Sequence, residues 1–342
     1  MGATINDIAK IADVSSTTVS RVLNNSGYVK EETRQKVLNV IKEMNYTPSA
    51  IARSLSKSET NTIGIIVPDI TNNYFGEIIK GISEVAEEKN LNIVLFNTDN
   101  SLEKELKALK SAKAQRIKGI IMTPAFGDGN FKTKYTTLIE QLNIPVVLVS
   151  ADIKHSNLSG VFVDNVKCGL DATNLLIKEG HEKIGIITGN IDSDATMDML
   201  SGYKKALNEN NIDIMDKYIF NADFKAEIAY KLTNNILKTE DKPTALVICS
   251  NMMTMGAIKA LIDSKKKTPE DISIVGINRV DFLDIVGLQV TYIEDSPIKL
   301  GKSSMDMLWE IINDKNNKSV RRTIMAPKII CNGSEKKIYW NE

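Results

Sequence analysis

The chain has 342 residues, of which 42% are apolar and 25% are charged, with 43 basic and 43 acidic side chains. This length exceeds one ordinary hydrophobic core and predicts a soluble globular protein of two or three domains. No apolar run is long enough to span a bilayer, and the polar N-terminus lacks an export signal, so we expect a cytoplasmic protein with no membrane partner. Three widely spaced cysteines and two histidines argue against a disulfide framework and a histidine-based metal site.

The charge is unevenly distributed along the chain. Residues 1–57 carry eight Lys or Arg and five Asp or Glu, a charge of +3, so the remainder carries −3. A mildly basic segment on a mildly acidic body is typical of a polyanion-binding module attached to a larger domain.

Three short helices are predicted in the first 47 residues. Thr4 and Asp7 have the spacing of a capping box at the start of the first helix. A tight break at Asp13 leads to a second helix over about 16–23, which Ser15 is placed to cap. A third, amphipathic helix is predicted over 31–44. Two short helices joined by a tight turn indicate a helix-turn-helix.

The second helix carries a cluster of short hydroxyl side chains at Ser16, Thr17, Thr18 and Ser20, followed by Arg21. A recognition helix enters the DNA major groove with its N-terminal residues against the base edges, where short polar side chains allow close approach. Any one of these hydroxyls is equally explained as a cap or a solvated surface group. The cluster as a whole, after a capped helix and a tight turn, favours DNA binding.

Residues 48–57 form a separate segment after the third helix. Ser49 is placed to cap a short helix over 50–56, which is too short to be stable in isolation. Leu55 lies between two basic residues, and as a linker residue it would cover a domain surface.

From residue 62 onward, apolar strands alternate with helices, which indicates parallel sheets covered by helices on both faces. Strands are predicted at 62–69, 91–98, 119–124 and 145–151, and in a second series at 183–190, 244–250 and 272–278. Helices are predicted near 75–89, 102–116, 200–210 and 252–264. The segments TIGIIV and KIGIIT open the two series, so we expect two similar lobes whose strands end at a shared ligand crevice.

The segment TINDIAKIADVSSTTVSRVLNNSGYVKEETRQKVLNVIKEMNYTPSAIARSLSK resembles the DNA-binding head of the LacI/GalR family of bacterial repressors. The body is similar to the ligand domain of that family through landmarks such as GLDATNLLIKEGHEKIGIITG and TALVICSNMMTMGAIKAL. The resemblance implies an α/β fold: a helix-turn-helix three-helix head plus a hinge helix, then a two-lobed periplasmic-binding-protein-like domain of doubly wound parallel sheets. One departure is Asp13, where the family usually has Gly, but Asp tolerates a left-handed turn at modest cost.

The resemblance also implies the domain boundaries. Residues 1–47 are expected to form the head, 48–60 the hinge helix and linker, and 61–342 the effector-binding and dimerisation domain. The N-lobe is expected over about 61–160 and 293–320 and the C-lobe over about 161–290 and 324–342, with crossings near 160–164, 290–293 and 318–323.

By the same resemblance, the base-reading positions are Ser16, Thr17 and Thr18, and Leu55 enters the minor groove when two hinge helices pair. The expected DNA-binding residues are Thr4, Ser15, Ser16, Thr17, Thr18, Ser20, Arg21, Asn24, Tyr28, Ser49, Ala52, Leu55 and Lys57. The expected effector-binding residues are Asn72, Tyr74, Phe75, Asp164, Ala195, Met199, Phe224, Ser250, Asn251, Asn278 and Arg279.

Two effector positions depart from the family pattern. Met199 stands where the family usually has Arg, and Asn278-Arg279 stands where it usually has two Asp. Because charge-assisted hydrogen bonds are about twice as strong as neutral ones, these changes remove the principal clamp on a sugar. Three interpretations follow: a changed ligand held by amide and aromatic side chains, an acidic sugar derivative held by Arg279 or Lys225, or a degenerate pocket.

These features predict a transcriptional regulator, expected to be a repressor that binds double-stranded operator DNA as a homodimer on a pseudopalindrome. A small effector, such as a sugar or sugar-acid derivative, is expected to control it, and no cofactor is expected. The alternatives are control by a partner protein and, from another class, a solute-binding protein. An enzyme is disfavoured because the glycine turns lack nucleotide-loop spacing, and His181, between a helix and a strand, is interpreted as structural.

Overall fold

The computed structural model describes residues 4–23, 25–46, 60–125, 129–153, 156–314 and 319–338. The chain divides into two compact units, Met1–Thr60 and Asn61–Glu342. In the described ranges, no helix combines the length and the apolar character needed to cross a bilayer.

The first unit contains three helices around a small apolar core. They are α1 (Ile5–Ile11), α2 (Ser16–Leu23) and α3 (Glu31–Glu43), at the predicted positions, with α3 one residue shorter than predicted. Ile8, Val19 and Val37 are fully buried and hold the three helices together. The predicted capping box of α1 is confirmed, because the Thr4 hydroxyl accepts from the Asp7 N–H and the Asp7 carboxylate accepts from the Thr4 N–H.

The turn between α1 and α2 depends on Asp13, whose φ of 51° lies in the left-handed region. The turn therefore forms with Asp in place of the usual Gly, as predicted. The Ser15 hydroxyl accepts a hydrogen bond from the Thr18 N–H at 3.1 Å, which confirms Ser15 as the cap of α2.

The second unit contains two six-stranded sheets, one in each lobe. The first lobe holds β1 (Thr62–Val67), β2 (Asn92–Asn97), β3 (Gly119–Met122), β4 (Val146–Ser150), β5 (Ser159–Val163) and β11 (Arg322–Met325), in the order β11-β5-β4-β3-β1-β2. The second lobe holds β6 (Ile184–Thr188), β7 (Ile219–Asn221), β8 (Ala245–Ile248), β9 (Ser273–Ile277), β10 (Thr291–Glu294) and β12 (Lys328–Ile330), in the order β12-β10-β9-β8-β6-β7. Of the paired strands, β10 and β12 are antiparallel and the others are parallel.

Helices cover the sheets, which explains the near-continuous apolar strands. The first lobe has α4 (Asn73–Glu88), α5 (Leu102–Ala114), α6 (Gly129–Leu142) and α12 (Pro297–Asn313). The second lobe has α7 (Asn165–Lys178), α8 (Asp194–Glu209), α9 (Ala226–Lys238), α10 (Asn251–Asp263) and the short α11 (Asp281–Ile285). Helices α4 and α12 cross closely at Gly81 and Gly301, where an added Cβ would lie 2.1 Å from a carbonyl oxygen of the facing helix.

The chain crosses between the lobes at three points, close to those expected. Strand β5 pairs with β4 and β11, so residues 161–163, expected in the C-lobe, belong to the first sheet. Strand β10 lies in the second sheet and β11 in the first, so the other crossings follow residues 294 and 325. The first crossing lies within the expected range of 160–164, and the other two lie one or two residues beyond the expected ranges, because the sequence of a crossing strand does not reveal which sheet it joins.

Candidate functional site

Helix α2 separates its apolar and polar side chains cleanly. Val19 and Val22 are buried in the first unit, whereas Ser16, Thr17 and Arg21 are exposed. The α2 surface therefore presents hydroxyl groups and one guanidinium to solvent, as a groove-reading helix requires.

The other expected DNA-binding residues differ in their exposure and in their hydrogen bonds. Thr18 is half-buried and its hydroxyl lies 2.9 Å from the Ser15 hydroxyl, so it takes part in the cap. The Thr4 side chain is held in the α1 capping box, and Ser20 is half-buried. Tyr28 is 85% exposed after α2. Five expected residues lie outside the described residues: Asn24, Ser49, Ala52, Leu55 and Lys57.

Within the second unit, a cavity of about 370 Å³ lies between the two lobes. It is lined by residues that follow the carboxyl ends of strands and by the first turns of helices, the usual ligand position in doubly wound sheets. Of the expected effector residues, the cavity is lined by Asn72, Tyr74, Phe75, Ala195, Met199, Phe224, Ser250, Asn251 and Asn278. Asp164 and Arg279 do not line it.

The side chains of Asp164 and Arg279 bond to residues close to them in the sequence. Asp164 caps α7, and its carboxylate accepts from the Lys167 N–H at 2.9 Å. The Arg279 guanidinium contacts the carboxylates of Asp281 at 3.2 Å and Asp284 at 2.5 Å. Arg279 is therefore paired with acidic neighbours outside the cavity.

Two helix caps position side chains at the cavity. Asn72 caps α4 by accepting from the Tyr74 N–H at 3.1 Å, and Ser250 caps α10 by accepting from the Met253 N–H at 3.2 Å. Both helices thus begin at the cavity, where their first N–H groups favour polar ligand atoms.

The aromatic wall of the cavity includes Phe75 and Phe224. Phe224 has a φ of 57° and follows Asp223, which has a φ of 51°. An added Cβ at Gly189 would lie 2.1 Å from the Phe224 ring, so glycine is required for the ring to take this position. Left-handed backbone at two successive non-glycine residues is strained and is typical of a binding site.

A cluster that the sequence interpretation missed lies around Asp295. This carboxyl is 6% exposed and lines the cavity. Its Oδ2 accepts from the Tyr74 hydroxyl at 3.1 Å and from the Asn278 amide at 3.3 Å. The Tyr74 oxygen also lies 2.8 Å from the Ser150 hydroxyl. Burial raises the pKa of Asp295 to about 7 and raises the pKa of Tyr74 well above its usual value.

The lobes also contact each other directly beside the cavity. The Asn251 side-chain amide donates to Oδ1 of Asn72 at 2.9 Å, and the Asn73 side-chain amide donates to the Asp281 carboxylate at 2.6 Å. The start of α4 is therefore bonded to the second lobe.

His181 lies at the corner between α7 and β6. It is buried, and its Nδ1 lies 2.9 Å from the Thr244 hydroxyl. Burial lowers its pKa to about 4, so it is neutral at pH 7 and packs as part of the corner. In the part of the chain that the structure describes, no group of three or more His, Cys, Asp and Glu side chains is arranged to hold a metal ion.

Both units of the chain match known protein families. The family described as "Bacterial regulatory proteins, lacI family" matches residues 4–49, and "Periplasmic binding proteins and sugar binding domain of LacI family" matches residues 60–332. The HTH-type transcriptional regulator RegA of Clostridium saccharobutylicum is 36% identical, covering 92% of this chain and 94% of RegA. Catabolite control protein A of Priestia megaterium is 32% identical, with coverages of 92% and 93%.

Among solved structures, the Lac repressor dimer bound to operator and the anti-inducer ONPF superposes with a TM-score of 0.84 at 23% identity. The superposition covers 98% of this chain and 100% of the repressor chain, and supports the fold. A helix-turn-helix unit joined to a two-lobed ligand domain defines a DNA-binding transcriptional regulator, not an enzyme. The chain belongs to the LacI family of bacterial regulatory proteins.

Proposed function

We propose that this regulator is a repressor that binds a pseudopalindromic operator as a homodimer. A small molecule in the cavity between the lobes then controls its affinity for DNA. The observation that carries the DNA-binding part is the surface of α2, where Ser16, Thr17 and Arg21 are exposed above the buried Val19 and Val22. Each chain supplies one such helix, so a two-fold dimer presents one helix to each half-site. The Lac repressor, similar in fold, is described as a dimer bound to operator.

An exposed apolar surface on the second lobe supports dimerisation. Phe282, Ile285 and Val286, on and just after α11, are exposed, Ile285 by 84%. Contiguous exposed apolar side chains commonly mark a protein interface. We assign this surface to the dimer contact, together with the pairing of hinge segments that the sequence predicts around Leu55.

The cavity supports control by a small molecule and disfavours a degenerate pocket. Its volume of about 370 Å³ is within the range of roughly 300–1,000 Å³ typical of ligand sites. Its wall combines aromatic rings with a few convergent polar groups, as such sites do. Because α4 is bonded to α10 and α11 across the lobes, a ligand that changes these contacts changes the relation of the lobes. By linkage, its effect on DNA affinity equals the effect of DNA on its own affinity.

The test begins with selection of operators from random oligonucleotides by the full-length protein. The selected site is then used in gel shifts with the wild type and the double variant Ser16→Ala/Thr17→Ala. We expect the double variant to bind the operator at least about tenfold more weakly, since base contacts contribute about 1–3 kcal/mol each, with little change on non-specific DNA. Asn39→Ala, an exposed substitution on α3, serves as the control. Failure to select any palindrome, or equal losses on both DNAs, would reject the proposal.

A further inference from the structure

A run of basic side chains covers the solvent side of helix α5 in the first lobe. Residues 104–118 contain six Lys or Arg and one acidic residue, although residues 58–342 together carry a net charge of −3. Lys107, Lys110 and Lys113 are exposed at a spacing of three, and the apolar residues between them are buried. Because like charges on neighbouring positions destabilise a helix, the stability of α5 does not explain this surface.

Acidic side chains of the same helix compensate little of this charge. Glu105 is fully buried, and its carboxyl accepts from the Ala125 N–H at 2.7 Å. Burial raises the pKa of Glu105 to about 8, so this carboxyl is mainly uncharged at pH 7. Glu103 is exposed in the first turn of α5, ahead of the three lysines, and Lys104 pairs with Asp99. The positive charge beyond the first turn is therefore mostly uncompensated within the helix.

The basic run ends where the second unit begins. Arg116 is exposed just after α5, and Lys118 directly precedes β3. Nζ of Lys118 donates to Oδ1 of Asn61 at 2.8 Å, and the Lys118 N–H donates to the Thr62 carbonyl oxygen at 2.8 Å. Asn61 is the first residue of the second unit. This end of the first lobe is therefore directly continuous in the chain with the unit that carries the helix-turn-helix.

We infer that Lys107, Lys110, Lys113 and Arg116, here called the α5 basic surface, contact phosphates of the DNA that flanks the operator. The inference rests on the proposed binding of operator DNA and adds a second DNA contact on the first lobe. Duplex DNA carries one negative charge per about 1.7 Å of its axis, which complements a row of ammonium groups. Lys113 also donates to the Gln141 carbonyl oxygen at 3.3 Å, which uses one of its three ammonium protons.

The composition of the surface favours DNA over an acidic protein as its occupant. Stable protein interfaces have an apolar centre that is depleted of charged residues. The structure describes α5 throughout, and the exposed large apolar side chains of the described chain include none from this helix. Phosphate contacts position a protein on the duplex without reading its sequence, so the contribution of the α5 basic surface should not depend on the sequence of the flanking DNA.

The experiment compares short and long duplexes with the full-length protein by fluorescence anisotropy. The short duplex ends at the selected operator, and the long duplexes extend it by about 15 base pairs, roughly 50 Å, on each side. Two unrelated flank sequences are used. We expect both long duplexes to bind about tenfold more tightly than the short one. The plot of log K against log salt should steepen by about 0.9 for each added phosphate contact.

Two charge-matched triple variants locate the contact. Lys107→Gln/Lys110→Gln/Lys113→Gln should abolish most of the gain from the flanks and the added salt dependence, while binding to the short duplex changes by less than about twofold. The control variant changes to Gln three exposed lysines of the second lobe, Lys231, Lys238 and Lys265. It removes the same charge and should keep the gain. Each variant is its own reference, because the measured quantity is the ratio of its affinities for the long and short duplexes.

The same ratio in the wild type and the α5 variant would overturn the inference, and so would an equal loss of the gain in both triple variants. Wild-type protein that binds the short duplex but gains nothing from the flanks would also overturn it, in favour of an acidic protein as the occupant. A wild type that binds neither duplex rejects the proposed function instead, so the two failures are distinguishable.

Discussion

The phenol oxygen of Tyr74 lies 3.1 Å from Oδ2 of Asp295, although the residues are 221 positions apart in the chain. Tyr74 is in the first turn of α4, and Asp295 directly follows β10 at a crossing between the lobes. The contact therefore joins the beginning of one lobe to the second crossing of the chain, at the wall of the cavity.

Asp295 should make the stability of the second unit depend on pH. Its pKa in the folded state is raised from 3.8 to about 7, so the folded protein retains a proton that the unfolded chain loses above about pH 4. The free energy of unfolding of the wild type therefore falls as the pH rises from about 4 to about 7, by at most about 1.4 kcal/mol per pH unit. Above pH 7 this contribution no longer changes with pH.

The substitution Asp295→Asn removes the free-energy cost of ionising a buried carboxyl group. We expect the variant to gain stability relative to the wild type as the pH rises from 5 to 8, as measured by urea unfolding followed by intrinsic fluorescence. Asp171→Asn is the control, and a constant difference between wild type and Asp295→Asn across this range would contradict the assignment.

The crossing of α4 and α12 predicts a sharp difference between two glycines of the same helix. At Gly81 an added Cβ would lie 2.1 Å from the Ile298 carbonyl oxygen, whereas at Gly76 the nearest atom is 3.9 Å away. Gly81→Ala should lower the free energy of unfolding by about 1–3 kcal/mol because the helices must separate. Gly76→Ala should be neutral or slightly stabilising. Equal effects in calorimetric melting would show that the helices do not approach this closely.

The proposed dimer contact predicts that one charge will separate the protomers. Ile285→Asp places a carboxylate in the exposed apolar surface of α11, and loss of a buried isoleucine alone costs about 1.5–3 kcal/mol. We expect the dimer dissociation constant to rise at least tenfold in sedimentation analysis. Ile262→Asp, at a 57% exposed position on α10, is the matched control. A dimer that survives Ile285→Asp but not Ile262→Asp would place the contact elsewhere.

The cap of α2 predicts a local loss of stability in the first unit. Ser15→Ala removes the acceptor of the Thr18 N–H, which costs about 1 kcal/mol. Hydrogen exchange of the α2 amides in the full-length protein should accelerate about fivefold, while Ser26→Ala, at an exposed position after the helix, should leave it unchanged. Slow exchange in the Ser15→Ala variant would mean that the cap contributes nothing.

The helices and caps of the first unit could be predicted because the residues that determine them lie close together in the sequence. A capping residue, a turn residue and the apolar spacing of α2 each act within a few positions, so Ser15 and Asp13 were placed correctly. The sequence predicts that helix α8 begins near residue 200, but it begins at Asp194, and Ala195 in its first turn lines the cavity.

The polar cluster of the cavity was only partly predictable. Asp295 belongs to no motif, yet it follows β10 directly, as Ser150 ends β4 and Asn278 follows β9. The shared position at strand ends is the available signal, but the sequence predicts a crossing near 290–293, within β10. Arg279 was misplaced because sequence alone does not show that Asp281 and Asp284 turn back toward it.

Three consecutive residues at the start of α4 each reach a different partner: Asn72 bonds Asn251, Asn73 bonds Asp281, and Tyr74 bonds Asp295. One helical turn thus carries all three contacts on a single rigid body, and they cannot lengthen independently. We expect separation of the lobes to be cooperative, with two discrete arrangements and few intermediates, as in other bistable interfaces. Such a molecule responds to its ligand by a shift in the populations of two arrangements instead of a gradual change of one structure.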